Sequence, residues 1–348
     1  MKHRLQNYAG TRSTTYLWTF SSALLLGAAM LSASFIIGTR SADTGTDTRN
    51  YAQFFLSLGY GSVSTRLEPG FVLIAQALRT LGLGVVGYQT ALFGLLLGTV
   101  GLATRTYFRE LPYRRSYLTF LTSTLAFLFV SPVFVNASIN AIRQGLASLV
   151  VFSALLCFHQ RRWAWFVGLG AMAVSVHYSA ILYVACAPVL LLKQRTRLAI
   201  SIIAFFLYCS GVSMALVASF APAVYATVMD YHAQTDYRAG VRIDFAIFSI
   251  FWFTLPYALS TFMQPRARER IRDAAAVYLV LMLPFFALGW GNFSNRLLLP
   301  AWLSVSLLLA ALLQDSPAPF LRHPLLLRLC LAAATCIFYF LVTNSIII

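Results

Sequence analysis

Four polar residues stand out at helix ends in a strongly apolar chain: Arg143, Gln144, His177 and Ser179. Arg143 and Gln144 open one apolar helix, and a second apolar helix climbs back from a basic turn to His177 and Ser179. The two sets therefore lie at the same end of a predicted helical hairpin. An ionisable side chain at the border of hydrocarbon is costly and is by default a sign of function. We expect a functional site at this end.

Arg143 and Arg296 stand at the starts of two helices that are predicted to run inward from the outer face. Arginine binds phosphate through paired hydrogen bonds and keeps its charge at low dielectric. A helix N-terminus adds partial positive charge, so this pair suits a lipid pyrophosphate. Arginines also flank membrane helices simply by snorkelling to the interface. For Arg296 the two interpretations are balanced, whereas Gln144 and the clean apolar helix after Arg143 favour function there.

Three further groups offer acid–base chemistry. His177 can act as a general base near neutral pH, although a turn histidine more often bonds to a neighbouring helix. Asp47 and Glu68 can activate an acceptor hydroxyl or hold a sugar, but Asp47 also suits a turn and Glu68 a helix N-terminus. A second loop combines acids with tyrosines, as both sugar sites and exposed loops do: Asp230, Asp236, Asp244, Tyr225, Tyr231 and Tyr237.

The composition defines the class of protein. The 348 residues are 59% hydrophobic and only 10% charged, which is too apolar for a soluble domain. Apolar runs of helical length recur without strand alternation, so we predict an all-α, polytopic transmembrane helical bundle that forms one integral membrane domain over 1–348. Five cysteines lie inside apolar runs and lack the spacing of metal ligands, so we interpret them as small apolar core residues. The net charge of +16 comes from short tracts between the runs, which indicates membrane topology and not nucleic-acid binding.

Apolar length and flanking charge predict about eleven spanning helices and a short re-entrant or interfacial helix near 68–83. The spanning segments are about 15–37, 85–103, 117–133, 142–158, 163–176, 178–192, 198–220, 245–263, 274–290, 297–313 and 325–344. Two larger outer loops fall at about 38–67 and 221–244. The predicted inner tracts hold 18 of the 26 lysines and arginines. This bias places the N-terminus in the cytoplasm and the polar site outside.

Several motifs, in this order, resemble the EpsG-type family of bacterial exopolysaccharide polymerases, which is similar to the wider Wzy polymerases. They are TGTDTRNYAQFF at 44–55, EPGF at 68–71, NAIRQGLA at 140–147, VHYSAIL at 176–182 and NR at 295–296. The likeness covers about 43–296, most of the chain. The EPGF, IRQ and H-x-S elements are fairly specific together, and each alone is weak.

The resemblance implies a glycosyltransferase that polymerises oligosaccharide repeat units at the outer face of the bacterial cytoplasmic membrane. The growing glycan leaves undecaprenyl pyrophosphate for a hydroxyl of the incoming lipid-linked unit, and neither a metal nor another cofactor is needed. The implied partners are the lipid-linked oligosaccharide, the bilayer and other polysaccharide assembly proteins, without nucleic acid. The candidate catalytic residues are Arg143, His177, Glu68 and Asp47. The candidate substrate-binding residues are Gln144, Arg296, Tyr51, Ser179 and Asn295.

Four other functions stay open. An O-antigen-ligase-like transferase, or a glycosyltransferase that adds one sugar from a polyprenyl phosphate, would use the same outer cavity. The latter often carries acids in its first outer loop, as Asp43 and Asp47 do here. A transporter or flippase would favour inverted repeats and charges near mid-membrane, and the sequence shows neither clearly. A non-catalytic scaffold of an assembly complex would tolerate loss of Arg143 and His177.

Overall fold

A computed structural model describes residues 2–41, 43–60, 65–111, 116–229, 239–292, 294–316 and 318–346. In these ranges the chain folds into sixteen α-helices and five short 3-10 helices, with no strand. The predicted all-α, multi-pass architecture is therefore confirmed. The central part of the second predicted loop, including Asp230, Asp236, Tyr231 and Tyr237, lies outside the described residues, as do Arg114 and Arg115 of one basic tract.

The helices follow the order of the predicted segments, with extra short helices between them. Their bounds are α1 Lys2–Gly38, α2 Thr48–Ser57, α3 Pro69–Thr80, α4 Val85–Phe108, α5 Tyr117–Phe129, α6 Pro132–Ile139, α7 Ile142–His159, α8 Trp163–Val176, α9 Ala180–Ala185, α10 Gln194–Cys209, α11 Val212–Phe220, α12 Pro222–Met229, α13 Ile243–Leu259, α14 Pro265–Leu288, α15 Leu299–Asp315 and α16 Pro324–Thr343. Five 3-10 helices span Leu58–Tyr60, Ala187–Leu191, Ser260–Phe262, Ser294–Leu298 and Pro319–Arg322.

Each of the eleven predicted spans has a helical counterpart, but not all of these are long enough to cross a bilayer unbroken. Seven described helices are long and apolar enough, and the count reaches nine if two sharply bent pairs each form one span. The remaining two counterparts, α8 and the pair of short helices that covers 180–191, are shorter. At 1.5 Å per residue, the 14 residues of α8 extend about 21 Å, less than the roughly 30 Å of hydrocarbon.

Two predicted spans are in fact broken, each by an 85° bend. The helix in the span predicted at 117–133 ends at Phe129, and a separate helix, α6, begins at Pro132. Pro132 explains this break, because the residue before a proline disfavours helical geometry and the proline itself cannot donate. The span predicted at 198–220 breaks at Gly211, whose φ of +77° lies outside the geometry of an α-helix.

The helix α7 forms the centre of the bundle and packs against α4, α8, α14 and α15. Of its span, 89% is buried inside the protein. A helix that is apolar on every side is expected at such a central position. By contrast, large apolar side chains on peripheral helices are exposed, among them Trp165, Phe206 and Phe251, as lipid-facing residues are.

Two short helices of the first outer loop complete the frame. The expected short helix near 68–83 is α3, which begins at Pro69 and packs against α8. The helix α2 was not predicted, because the segment 38–67 reads as a polar loop. Its signal is nevertheless present: Tyr51, Phe54, Phe55 and Leu58 follow the i, i+3, i+4, i+7 spacing of a helix with one buried face.

Candidate active site

Glu68 lies at the centre of a buried polar cluster and is only 3% exposed. It directly precedes Pro69, the first residue of α3, and its side chain makes no capping hydrogen bond to that helix. Instead, one carboxylate oxygen accepts a hydrogen bond from Arg143 at the start of α7. The other lies 2.7 Å from Nδ1 of His177, which follows α8. Residues from three separate segments therefore meet at one carboxylate.

The charge of Glu68 fixes the hydrogen-bonding pattern of His177. Burial raises the pKa of the Glu68 carboxyl, but the hydrogen bond with His177 and the charge of Arg143 outweigh burial and lower this pKa to about 2. An ionised carboxylate can only accept hydrogen bonds, so Nδ1 of His177 must carry the hydrogen between them. In the neutral imidazole, Nε2 is then the nitrogen that accepts a proton.

Arg143 is held on several sides yet remains 23% exposed at its side chain. Its Nε donates to the hydroxyl of Tyr51 over 3.1 Å, and its guanidinium lies 5.7 Å and 6.0 Å from the ring centroids of Tyr51 and Phe71. Burial raises the pKa of Tyr51, so its phenol stays neutral. Within the described residues Nη2 of Arg143 makes no hydrogen bond. The side chain is thus fixed in place with donors left for an anion.

A second ion pair lies beside the first. Nη2 of Arg296 is 3.4 Å from Oδ2 of Asp47, and both side chains are about a quarter exposed. Asp47 immediately precedes α2 and lies one turn before Tyr51, so both side chains face the same way. The backbone around Arg296 is a 3-10 helix held by two side chains of the core. Gln144 donates to the carbonyl of Arg296, and Tyr183 donates to that of Leu297 over 3.0 Å.

Two close approaches of the backbone bring these segments together. The amide of Thr46 donates to Oδ1 of Asn140 over 2.9 Å, which ties the loop before Asp47 to the start of α7. Gly45 makes this possible, because its φ is +81° and a Cβ there would lie 2.2 Å from the same Asn140 oxygen. At the other approach, a Cβ on Gly70 would lie 2.7 Å from the carbonyl oxygen of Ser175 in α8. Glycine therefore lets α3 touch the end of α8.

A crevice lies between α7, α9 and the start of α15, and its lining includes Gln144, His177, Ser179 and Tyr183. It is too narrow to hold a water molecule. Two buried polar atoms at its wall, Oγ of Ser179 and Oε1 of Gln144, have no hydrogen-bond partner among the described residues. Such atoms are uncommon in native proteins and call for a cause, of which a bound ligand is one.

All nine candidate residues lie around this end of the bundle. Glu68, Arg143, His177 and Tyr51 form one connected cluster, and Asp47, Arg296 and Gln144 form the adjoining one. Ser179 lines the crevice, and Asn295 is buried in the same 3-10 helix as Arg296. In the second loop, Asp244 instead pairs with Arg242, and Tyr225 packs against Trp290. The described residues contain no cluster of histidine, cysteine or acidic side chains that could hold a metal.

Three contributors were missed by the sequence reasoning: Asn140, Tyr183 and the backbone amide of Tyr178, which lies 3.4 Å from Glu68 Oε1. Asn140 stands directly before the IRQ element, and Tyr183 lies one helical turn after Ser179. Their closeness in sequence to residues already singled out is the signal that could have found them. A backbone donor such as the Tyr178 amide has no signature in a sequence.

Fold and site together define a multi-pass helical membrane protein with a buried charged site at one end of its bundle. The chain belongs to the EpsG family, whose match covers residues 23–347, nearly its whole length. Membership supports, at the level of the family, an exopolysaccharide polymerase-type function and hence a glycosyltransferase-like enzyme. No curated protein and no solved structure shows significant similarity to the chain.

Proposed function

We propose that this protein polymerises oligosaccharide repeat units carried on undecaprenyl pyrophosphate, at the outer face of the bacterial cytoplasmic membrane. The observation that carries the proposal is the convergence of Arg143 and His177 on the buried carboxylate of Glu68. The cluster offers a fixed cation for a departing pyrophosphate and an imidazole for a proton. These are the two functions that glycosyl transfer from a lipid pyrophosphate requires.

In the proposed reaction, the oxygen of an acceptor hydroxyl forms a bond to the anomeric carbon of the donor glycan. The bond from that carbon to the pyrophosphate oxygen breaks, and the lipid pyrophosphate leaves with the electron pair. The proton of the hydroxyl passes to Nε2 of His177. Glu68 holds the imidazole in the required tautomer and stabilises its charge once it is protonated.

The leaving pyrophosphate gains negative charge in the transition state, and two arginines are placed to stabilise it. Arg143 is fixed by Tyr51 and Glu68, so it needs little reorganisation when charge develops. Arg296 supplies the second cation, and Asp47 orients it from 3.4 Å. Gln144 positions Arg296 through its backbone carbonyl.

The sugar-binding role falls to polar groups that line the crevice or flank it. Ser179 and Gln144 each present a buried atom without a hydrogen-bond partner among the described residues. Hydroxyls of the acceptor sugar can satisfy these atoms, and Asn295 is buried in the 3-10 helix that carries Arg296. Because the crevice is too narrow for a water molecule, α9 and the start of α15 separate in the proposed reaction to admit a sugar.

The position of the basic tracts supports the proposed orientation. His159 ends α7 and is followed by Arg161 and Arg162, whereas Arg143 lies at the start of the helix. By the positive-inside rule the His159 end is cytoplasmic, so the Glu68 cluster faces the exterior. The N-terminus is then cytoplasmic.

The proposal is tested by mass spectrometry of undecaprenyl-linked glycans in a deletion strain that carries the wild-type protein, Arg143→Ala or Arg66→Ala. Arg66 is an exposed arginine of the same outer segment and serves as a matched control. We expect single complete repeat units to accumulate in the deletion strain and with Arg143→Ala, and normal polymer with Arg66→Ala. Membrane levels of each variant are measured by immunoblot.

Other outcomes would contradict the proposal in distinct ways. Incomplete repeat units in the deletion strain would indicate a glycosyltransferase that acts earlier in assembly. Complete polymer still attached to lipid would indicate a ligase. Normal polymer with Arg143→Ala would show that this arginine only flanks its helix.

A further inference from the structure

A cavity of about 350 Å³ lies at the end of the bundle opposite to the Glu68 cluster. The starts of α10 and α14 and the end of α13 form its walls. Its position follows from α7, along which Arg143 and His159 lie about 24 Å apart at 1.5 Å per residue. His159 contacts Asp273, 3.2 Å away on α14, and Asp273 lines the cavity. The cavity therefore has no part in the proposed active site.

Three half-buried arginines line this cavity: Arg197, Arg268 and Arg272. None of them forms an ion pair within 4.0 Å in the part of the chain that the structure describes. Two acids also line the cavity. Asp273 is engaged by His159 and by Arg270, and Glu269 is exposed. The cavity therefore carries an excess of positive charge that its own walls do not neutralise.

Neutral groups hold each guanidinium in place. The guanidinium of Arg272 lies 4.7 Å from the ring centroid of Tyr257, and its Nε is 3.3 Å from the Ser260 hydroxyl. Arg268 donates to the carbonyl of Thr261 over 2.8 Å, while its buried Nε has no partner among the described residues. Arg197 donates to the carbonyl of Leu190 over 3.1 Å. The geometry is therefore set before any anion arrives, which reduces the cost of binding one.

The remaining walls are apolar and include Leu198, Phe253, Ala276 and Leu279. In α14, Ala276 and Leu279 follow Arg272 into the apolar part of the helix. A ligand with a charged head and a hydrocarbon part suits such a cavity better than a wholly polar one. Arginine in turn binds phosphate oxygens through paired, charge-assisted hydrogen bonds.

We propose that this cavity binds the phosphate group of an anionic membrane lipid at the cytoplasmic end of the protein. Basic pockets between membrane helices on this side are suited to lipid headgroups. The proposal differs from a general attraction of basic loops to anionic lipid. Arg195 and Arg266 belong to the same basic tracts, but their side chains are exposed and do not line the cavity.

These exposed arginines provide a control with the same change in charge on the same two helices. The cavity variant is Arg197→Gln/Arg272→Gln, and the control is Arg195→Gln/Arg266→Gln. The full-length protein is purified in a neutral detergent. Binding of phosphatidylglycerol and of phosphatidylcholine is then measured by native mass spectrometry. We expect the cavity variant to bind phosphatidylglycerol about tenfold more weakly, and the control within about twofold of wild type.

Competition with millimolar inorganic phosphate tests whether the cavity recognises a phosphate group and whether that group belongs to a lipid. Displacement of phosphatidylglycerol from the wild-type protein by phosphate would support recognition of the phosphate group. Binding of inorganic phosphate without binding of the lipid, if lost in the cavity variant, would overturn the lipid as the source. Equal losses in the two variants, or no preference for phosphatidylglycerol over phosphatidylcholine, would overturn the proposal as a whole.

A folding control accompanies the measurement. Thermal unfolding of each variant shows whether the double substitution disturbs the bundle. If it does, Arg268→Gln alone is compared with Arg266→Gln alone, and the same difference in lipid binding is expected. Polymer formation is not the readout, so failure here leaves the proposed enzymatic function untouched.

Discussion

At the scale of single residues, the Glu68 carboxylate positions both the Arg143 guanidinium and the His177 imidazole, which have different roles in the proposed reaction. Each of its oxygens meets a separate partner, so Arg143 and His177 are both positioned by the same carboxylate. Burial alone would favour the neutral carboxyl, but the two partners reverse that preference. At neutral pH the carboxylate therefore stays ionised, which keeps Arg143 in place and His177 in a single tautomer.

This charge predicts an acid dependence of stability. The folded-state pKa of Glu68, about 2, lies below the ordinary value of 4.5, so the stabilisation is fully present above about pH 4.5. It is lost as the pH falls from there towards 2. We expect the unfolding temperature of the detergent-purified protein to fall more steeply over this window than that of Glu68→Gln. Parallel curves for the two proteins would show that Glu68 is not stabilised by its partners.

The sequence indicated most of these residues but not how they are connected. Arg143 and His177 could be placed at one end of a hairpin, because Arg143 precedes one apolar run of helical length and His177 follows the next. Nothing in the sequence shows that Glu68, 75 residues before Arg143, reaches both, because that contact depends on how α3 packs. For the same reason Asp47 reads as a turn residue, although it pairs with Arg296 across 249 positions.

At the scale of elements, the position of α3 against α8 decides whether the cluster forms. Both helices are short, and α3 buries only Phe71 and Ala75. Their contact depends on Gly70, which lets the first turn of α3 approach the last turn of α8. The motif EPGF therefore combines three tasks: a carboxylate, a proline that starts the helix, and a glycine that permits contact.

Gly70→Ala is therefore expected to impair polymer formation about tenfold or more, without loss of protein from the membrane. The new methyl group would lie 2.5 Å from the Ser175 hydroxyl and 2.7 Å from its carbonyl oxygen, so α3 must shift and carry Glu68 away from His177. Gly98→Ala in α4 is the control, because nothing lies within 4 Å of a Cβ there. The measurement is the yield of polymer per unit of membrane protein. Equal yields in the two variants would show that this contact does not position Glu68.

Helices whose existence depends on a long apolar run were predicted well. Bends and short helices, which depend on the local backbone geometry, were predicted poorly. The eleven apolar segments all have helical counterparts, because a helix bonds its own backbone groups where hydrocarbon offers no partner, although two of the counterparts are short. The bends at Pro132 and Gly211 depend on single residues within otherwise continuous apolar runs. The helix α2 was not predicted, because polar residues surround the four apolar positions on its buried face.

At the scale of the whole molecule, the first and last helices lie side by side. Arg328, near the start of α16, donates to the hydroxyl of Ser22, near the start of the apolar part of α1, over 2.9 Å. The two helices therefore run in the same direction through the bundle. The end of α16 then lies on the opposite side from the start of α1 and on the same side as the Glu68 cluster.

This arrangement predicts which positions a membrane-impermeant maleimide reaches in intact cells. In a background whose five cysteines are replaced by alanine, Asn344→Cys after α16 should be labelled directly. Arg266→Cys at the start of α14 should be labelled only after the membrane is permeabilised. Both residues are exposed in the folded protein, so a difference reflects the side of the membrane. The reverse pattern would place the Glu68 cluster in the cytoplasm and contradict the proposed orientation.

The enclosed helix α7 also has a consequence for cellular energetics. Between Gln144 and His159 its polar hydroxyls are Ser148 and Ser153, and each donates to a carbonyl of its own helix over 2.7 Å and 2.8 Å. Relays that carry protons across membranes use ionisable groups at intervals, and this stretch of α7 has only one, the thiol of Cys157 next to its far end. A proton released at the Glu68 end is therefore not returned along this helix. In the proposed reaction, each added unit then draws its driving force from the glycosyl–pyrophosphate bond, with no contribution along α7 from the transmembrane proton gradient.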